Sequence, residues 1–346
     1  MATRLGPAAE ADLTTHTDTD TATPSPATAP PVRLWLQPAV IALVVVAAFI
    51  GCYVGLQRDP QPHRIPVAVA GQELSGEIRQ VLGDSVDVRP VADAVTGRSE
   101  VERRDVVASI SGPADSGRLR LEVGGANGLS TTTAVKSLMG AYAHGSGRRL
   151  TTVDVVPFAR FDSRGLAGFY MAFGVTLAGF VLAQNALGLA NHLHLRHRFR
   201  LLSGASVAIG IVATVIAGPV LGAVPAPVVP MAFTLTLLAA AAAFTTKLLG
   251  TYLGPVGVPV ATLLLLTVGN STSGAAIGPD LLPSAARAVS ALLPPGAAVR
   301  AVTDLSYFHG AQAVQPLATL ALWAVIAAVL VSLRPHLRRR HTHARG

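Results

Sequence analysis

Long apolar runs alternate along this chain with one stretch in which apolar and polar positions interleave. The runs at 34–56, 165–190, 203–224, 228–246, 253–268 and 315–333 predict six membrane-spanning helices. Most of them approach or exceed the roughly 20 apolar residues that cross a bilayer core. The 253–268 run is shorter and is interrupted by Pro255 and Pro259. The interleaved stretch, 57–164, carries short apolar windows at 65–70, 86–91, 106–110, 119–123 and 153–158 that read as strands. Windows at 73–82, 92–103 and 131–143 between them read as helices. Alternating strands and helices predict a small α/β domain, long enough for a core of its own. Residues 1–33 have no apolar period and predict a disordered tail, and 334–346 form a strongly basic tail.

One segment fits neither class. Residues 270–314 are too apolar for an ordinary loop, yet Pro283, Pro294 and Pro295 cut them into pieces too short to span. Asp280, Arg287, Arg300 and Asp304 would be costly in mid-bilayer and are tolerated at its surface. Non-helical backbone near lipid must be covered by protein or line a cavity. The segment is therefore expected as broken short helices packed on the outer end of the bundle, at a pore mouth or an assembly seam. Asn270, Pro283, Pro294 and Arg300 are its candidate gate residues.

Composition agrees with a membrane protein carrying one soluble part: 51% of residues are hydrophobic and 13% charged, against about 25% charged in soluble domains. The net charge of +8 does not point to nucleic acid. Outside the α/β region the basic residues gather at the ends of apolar runs, as orientation signals do. Arg196, Arg198, Arg200, Lys247 and the tail from Arg334 should face the cytoplasm and contact lipid or a partner. Both termini then lie inside, with 57–164 and 270–314 outside. The abundance of Ala, Gly, Pro and Arg suggests a GC-rich bacterial genome, and the expected location is the bacterial cytoplasmic membrane. The single cysteine, Cys52, permits no disulfide within the chain.

The candidate chemistry is sparse. No Asp or Glu lies in any of the six runs, which disfavours an ion-coupled carrier using intramembrane carboxylates. No Gly-x-x-x-x-Gly-Lys-Ser/Thr loop is present, so energy for transport would come from another subunit. The His192, His194 and His197 group lacks Cys or acidic support for a metal and reads as a basic membrane-surface segment. The 124–128 loop, Gly-Gly-Ala-Asn-Gly, lacks dinucleotide spacing and reads as a tight turn. Ser111, Asp115 and His144 form no supported triad, and no catalytic, cofactor or metal site is expected. Gly168, Gly174 and Gly179 in the second run permit close helix packing, expected within the bundle.

One span, an outside α/β domain and five further spans resemble the membrane subunits of ABC-2 type transporters, in particular the YhgE/Pip-like branch. The opening strand at 65–70, the stretch 106–112, and Gly269-Asn-Ser-Thr-Ser-Gly274 with Leu282-Pro283 and Leu293-Pro294 carry the resemblance. Gly71-Gln72 stand where the family has an acidic residue, and Pro294-Pro-Gly where an aromatic is common. The resemblance implies an export permease half that pairs with a second permease subunit, identical or different. A cytoplasmic ABC ATPase would drive it through the inner loops, here 191–202 and 247–252. The alternative is a non-transporting membrane protein whose outer domain senses a ligand or scaffolds a secretion machine.

Overall fold

The computed structural model describes residues 32–113, 117–189 and 192–343, with side chains over 36–113, 117–189 and 192–333. The expected N-terminal tail and the side chains of the basic C-terminal tail thus lie outside the described residues, as does Asp115. Helix α1 (Val32–Gln57) begins the chain. It is followed by β1 (Ile65–Ala70), α2 (Gln72–Leu82), β2 (Val86–Val91), α3 (Ala94–Glu102), β3 (Ala108–Ser111), β4 (Arg118–Val123), α4 (Leu129–Gly145) and β5 (Arg149–Asp154).

The strands form one sheet in the order β2-β1-β3-β4-β5. β1 runs parallel to both β2 and β3, β4 is antiparallel to β3, and β5 is parallel to β4. Central β1 is an almost unbroken apolar run, as a strand covered on both faces requires. Its register pairs Ile65 with Val86 and Val67 with Ala108. Ile65, Val67, Ile78, Ile110, Leu121 and Met139 are fully buried at the centre of the core.

β1 and β2 match their predicted bounds. β5 does not: it spans Arg149–Asp154 rather than 153–158. The prediction followed the apolar Val153-Asp-Val-Val cluster, whereas an edge strand is half solvated and here carries Arg149, Thr151 and Thr152. β3 starts two residues later than expected, because Arg104 at φ 64° turns the chain before Val106.

Beyond the sheet lie α5 (Ala167–Gly188), α6 (Leu195–Val215), α7 (Val228–Leu253), α8 (Gly257–Ala261), α9 (Gly269–Ser271), α10 (Ser284–Leu292), α11 (Pro294–Tyr307) and α12 (Val314–His343). Among the described residues, five helical runs are long and apolar enough to cross a membrane: Leu36–Gln57, Ala167–Gly188, Leu195–Val220, Val228–Ser271 and Val314–Leu333. Val228–Ser271 contains 44 residues, about 66 Å if straight, which is twice a hydrocarbon core. It is not straight. Gly254 adopts φ 62°, ψ −133°, and a Cβ on Gly257 would collide with the carbonyl of Leu249, so the chain folds back there. A π-helical turn, Thr262–Val268, precedes α9.

Several helix boundaries differ from the apolar runs, and α12 continues past 333 to His343. α6 begins at Leu195 instead of 203, α7 runs past Lys247 to Leu253, and the helical return to Ser271 passes the predicted break at Gly269-Asn270. Hydropathy marks depth in a membrane, while Arg, Lys and Leu are good helix formers in water as well, so helices outrun their apolar stretches. Helix α7 is central, packing on α5, α6, α11 and α12. Its Ala239, Ala241, Ala242 and Ala243 are fully buried.

The close α5–α7 approach depends on Gly179. A Cβ there would lie 2.6 Å from the carbonyl oxygen of Ala239 and 3.0 Å from Cβ of Ala242. Gly179→Leu is therefore expected to lower the unfolding midpoint of the detergent-solubilised protein, at a cost of about 1–3 kcal/mol. Gly174→Ala, whose Cβ meets nothing within 4 Å, should leave it unchanged. Equal midpoints for the two variants would contradict this packing.

Candidate functional site

The segment 270–314 folds into the layer that joins the sheet to the helices. Its first part enters the sheet's own core: Ile277, Leu281 and Leu282 are buried there with β1 and α4 side chains. The backbone follows, with His63 N–H donating to Asp280 O at 2.9 Å and Ser130 Oγ to Ala276 O at 2.9 Å. Arg287 Nη2 donates to His63 O at 3.0 Å. α10 and α11 have nine and 14 residues, about 13 and 21 Å, short of a bilayer core. Leu293 is extended and Pro294-Pro295 open α11, where the first-turn N–H groups have no helical partner to lose. Ala297, Ala298 and Ala301 are fully buried, which lets α11 lie closely against α5, α7 and α12.

The far end of α11 is locked to the loop after α3. Arg104 Nη1 donates to Arg300 O at 3.1 Å and stands 3.7 Å from Asp304 Oδ1, an ion pair longer than a hydrogen bond. Its guanidinium lies 5.2 Å from the centre of the Phe308 ring, a cation–π distance. Gln312 closes the lock from the start of α12: its N–H donates to Asp304 Oδ2 at 2.7 Å and its Nε2 to Arg104 O at 3.0 Å. Asp304 is fully buried. Burial pushes its carboxyl above the ordinary range, opposed by Arg104. Burial lowers the Arg104 and Arg300 guanidiniums, and Arg104 lowers Arg300 further.

A cavity of about 40 Å³ opens beside this lock, bordered by Arg104, Asn127, Asp162, Ser273, Arg300 and Tyr307. Asp162 Oδ1 caps α5, accepting from Leu166 N at 2.9 Å and Ala167 N at 3.1 Å. Tyr307 packs edge-on to Phe158 at 5.8 Å, and burial pushes its hydroxyl up to about 12.

The candidate gate residues fall around this layer. Asn270 is buried on α9 with neither amide atom hydrogen-bonded, and the Tyr53 hydroxyl of α1 is a polar neighbour. Pro294 is buried where α9 meets α11, and Arg300 is half-buried on the cavity wall. Pro283 is exposed and starts α10. Asp304, expected at the bilayer surface, is fully buried inside the lock. Arg104, Phe308 and Gln312 were not singled out from the sequence. The Arg104–Arg300 hydrogen bond joins residues 196 positions apart, which no local pattern encodes.

The candidate inner contacts lie at the other end of α5. Arg196 and Arg200 are exposed and Arg198 half-buried, all on the first turns of α6 rather than in a loop. Phe199 packs on Phe244 at 5.1 Å, which sets these turns level with this part of α7. Lys247 is a correction: it is 2% exposed, and its Nζ donates to Ala186 O at 3.2 Å. Its ammonium is spent inside the bundle and offers no surface for a partner or lipid.

Among the described residues no set of three metal-ligating side chains gathers, and the His194 and His197 rings lie 6.1 Å apart. The 124–128 loop is a tight turn whose Gly125 N–H donates to Asp154 Oδ1 at 2.9 Å, so the chain supplies its own anion there. Comparison with family models, with curated proteins and with solved structures returns no match for this chain.

Removing one partner of a buried ion pair strands the other charge, at a cost of about 3–5 kcal/mol. Asp304→Leu alone should therefore destabilise more than the double variant Arg104→Met/Asp304→Leu, measured by thermal unfolding. Additive losses in a double-mutant cycle would show that the two side chains do not interact.

Proposed function

We propose that this chain is the membrane permease subunit of an ABC-2 type export system, driven by a separate cytoplasmic ATPase. The observation that carries this reading is the separation of charge along α5. Asp162 at its start borders the sheet-side cavity, and Ala186 near its end meets Lys247, level with the exposed Arg196 and Arg200. Its 22 residues span about 33 Å, a bilayer core. The basic turns of α6 then mark the cytoplasmic face and the sheet lies outside. Cations at a helix start oppose the helix dipole, so these arginines serve orientation and partner contact better than they serve α6.

The fold-back at Gly254 supports six crossings: the run Val228–Ser271 goes in as α7 and returns through α8 and α9 to the sheet side. A bundle whose spans lack carboxylates supports energy supply from outside the chain. Two such subunits, identical or different, would enclose the path, with α11 and the cavity beside it at the outer mouth.

A second reading, a ligand-binding sensor that does not transport, has one feature in its favour. The strand order reverses between β1 and β3, and ligands in open α/β sheets bind outside the strand ends at such points. Ala70, Gly71, Gly112, Pro113 and Leu119 border two clefts there, of about 720 and 260 Å³.

The tagged chain purified from native membranes is expected to bring down an ATP-hydrolysing subunit. Arg196→Ala/Arg198→Ala/Arg200→Ala should lose most of it while inserting normally, since each surface arginine contributes about 1 kcal/mol. A wild-type preparation without any ATPase would favour the sensor. For topology, a cysteine at exposed Val81 in a Cys52→Ser background should react with an impermeant maleimide in intact cells. Reaction only after permeabilisation would reverse the orientation.

A further inference from the structure

We propose that the cavity between the sheet and α11 is a binding site for a small oxyanion, held by Arg300 and Arg104 and by the Ser273 hydroxyl: inorganic phosphate, or the phosphate of a lipid headgroup. The inference does not depend on whether the chain transports.

Unspent hydrogen-bonding atoms on residues that border the cavity carry it. Three of the bordering residues hold buried polar atoms with no partner: Arg300 Nε, Asn127 Nδ2 and Ser273 Oγ. Nε and Nδ2 are donors and a serine hydroxyl can donate, so all three call for an acceptor. Ser273 is 1% exposed. A buried donor without a partner costs about 1–3 kcal/mol, and three on residues that border one cavity point to a shared acceptor.

Charge points the same way. Among the described residues the Arg300 side chain makes one hydrogen bond, from Nη2 to the neutral carbonyl of Ala291 at 3.1 Å, and no carboxylate lies within 4.0 Å of it. Arg104 has Asp304, but that carboxylate also serves Gln312 and does not border the cavity. Asp162 does border it, and its oxygen on the wall opposes an anion. Its Oδ1, however, accepts two amide hydrogens at the start of α5, where the helix dipole matches a negative charge. Among the described residues that border the cavity, Arg300 is a cation without a carboxylate partner. A guanidinium matches an oxyanion in two-point geometry as an ammonium does not.

Size narrows the ligand. A water needs roughly 10–15 Å³ of such space, so about 40 Å³ admits a tetrahedral oxyanion or the phosphate end of a longer molecule, and no nucleotide.

The test uses the full-length protein in neutral detergent. Its unfolding midpoint is followed against potassium phosphate, with potassium chloride at equal ionic strength as the control. The wild type should show a saturable rise with phosphate. Arg300→Gln should weaken the apparent affinity about tenfold or more, the worth of a charge-assisted hydrogen bond, and Ser273→Ala about threefold to tenfold. Arg300→Lys should recover only part, because the fork is lost. A second arm places the protein in nanodiscs of phosphatidylcholine with and without phosphatidic acid, and counts retained lipids by native mass spectrometry. Saturable binding of free phosphate that Arg300→Gln weakens supports a soluble anion. Retention of phosphatidic acid alone, lost in the same variant, supports a headgroup. Should Arg300→Gln fail to fold, Ser273→Ala and Asn127→Ala carry the comparison. Neither ligand binding, or binding that no variant weakens, overturns the site.

Discussion

Backbone that leaves the helical pattern at a membrane's edge has to be covered by protein, because lipid supplies no hydrogen bonds. Segment 270–314 breaks the helical pattern between two runs long and apolar enough to cross a membrane, and the way it is covered organises the fold. The segment does not loop into solvent. It feeds Ile277, Leu281 and Leu282 into the sheet's core and α11 into the helices, so each side covers what the other leaves open. The buried Arg104–Asp304 pair closes the far end. Such pairs add little net stability compared with apolar packing, but breaking one is expensive, so this one acts more as a register pin than as glue.

Because the segment belongs to two cores, Ile41–Gly346 forms one compact unit instead of a sheet tethered to a bundle. Displacement of α11 by a neighbouring helix would have to move the loop after α3, through Arg104 and Gln312. That linkage couples the sheet to the helices, whichever function the protein serves. It also gathers buried polar groups into one layer, and an anion there would bridge the sheet and α11.

Several features were readable from residue order because local physics decides them. β1 is an apolar run closed by Gly71, β2 alternates Val86 and Val88 with Asp87 and Arg89, and Pro283, Pro294 and Pro295 cut the segment where α10 and α11 begin. Edge strand β5 was misplaced because four of its six residues are exposed and carry no apolar signal. Lys247 was read as a helix stop because a lone lysine after an apolar run usually meets water. Here the carbonyl of Ala186, 61 residues away, receives it. The lock had no local signal at all. Arg104 looks like any charged residue after a helix, and its partners arrive almost two hundred positions later.

The central claim, that α11 and the sheet form a single cooperative body, can be measured by hydrogen exchange on the full-length protein in nanodiscs. The amides of α11 and of β1 should exchange with comparable, high protection, and Asp304→Leu should lower both together. Rapid exchange of α11 with β1 still fully protected would show that the segment is a solvent loop beside an independent domain, and would contradict the account.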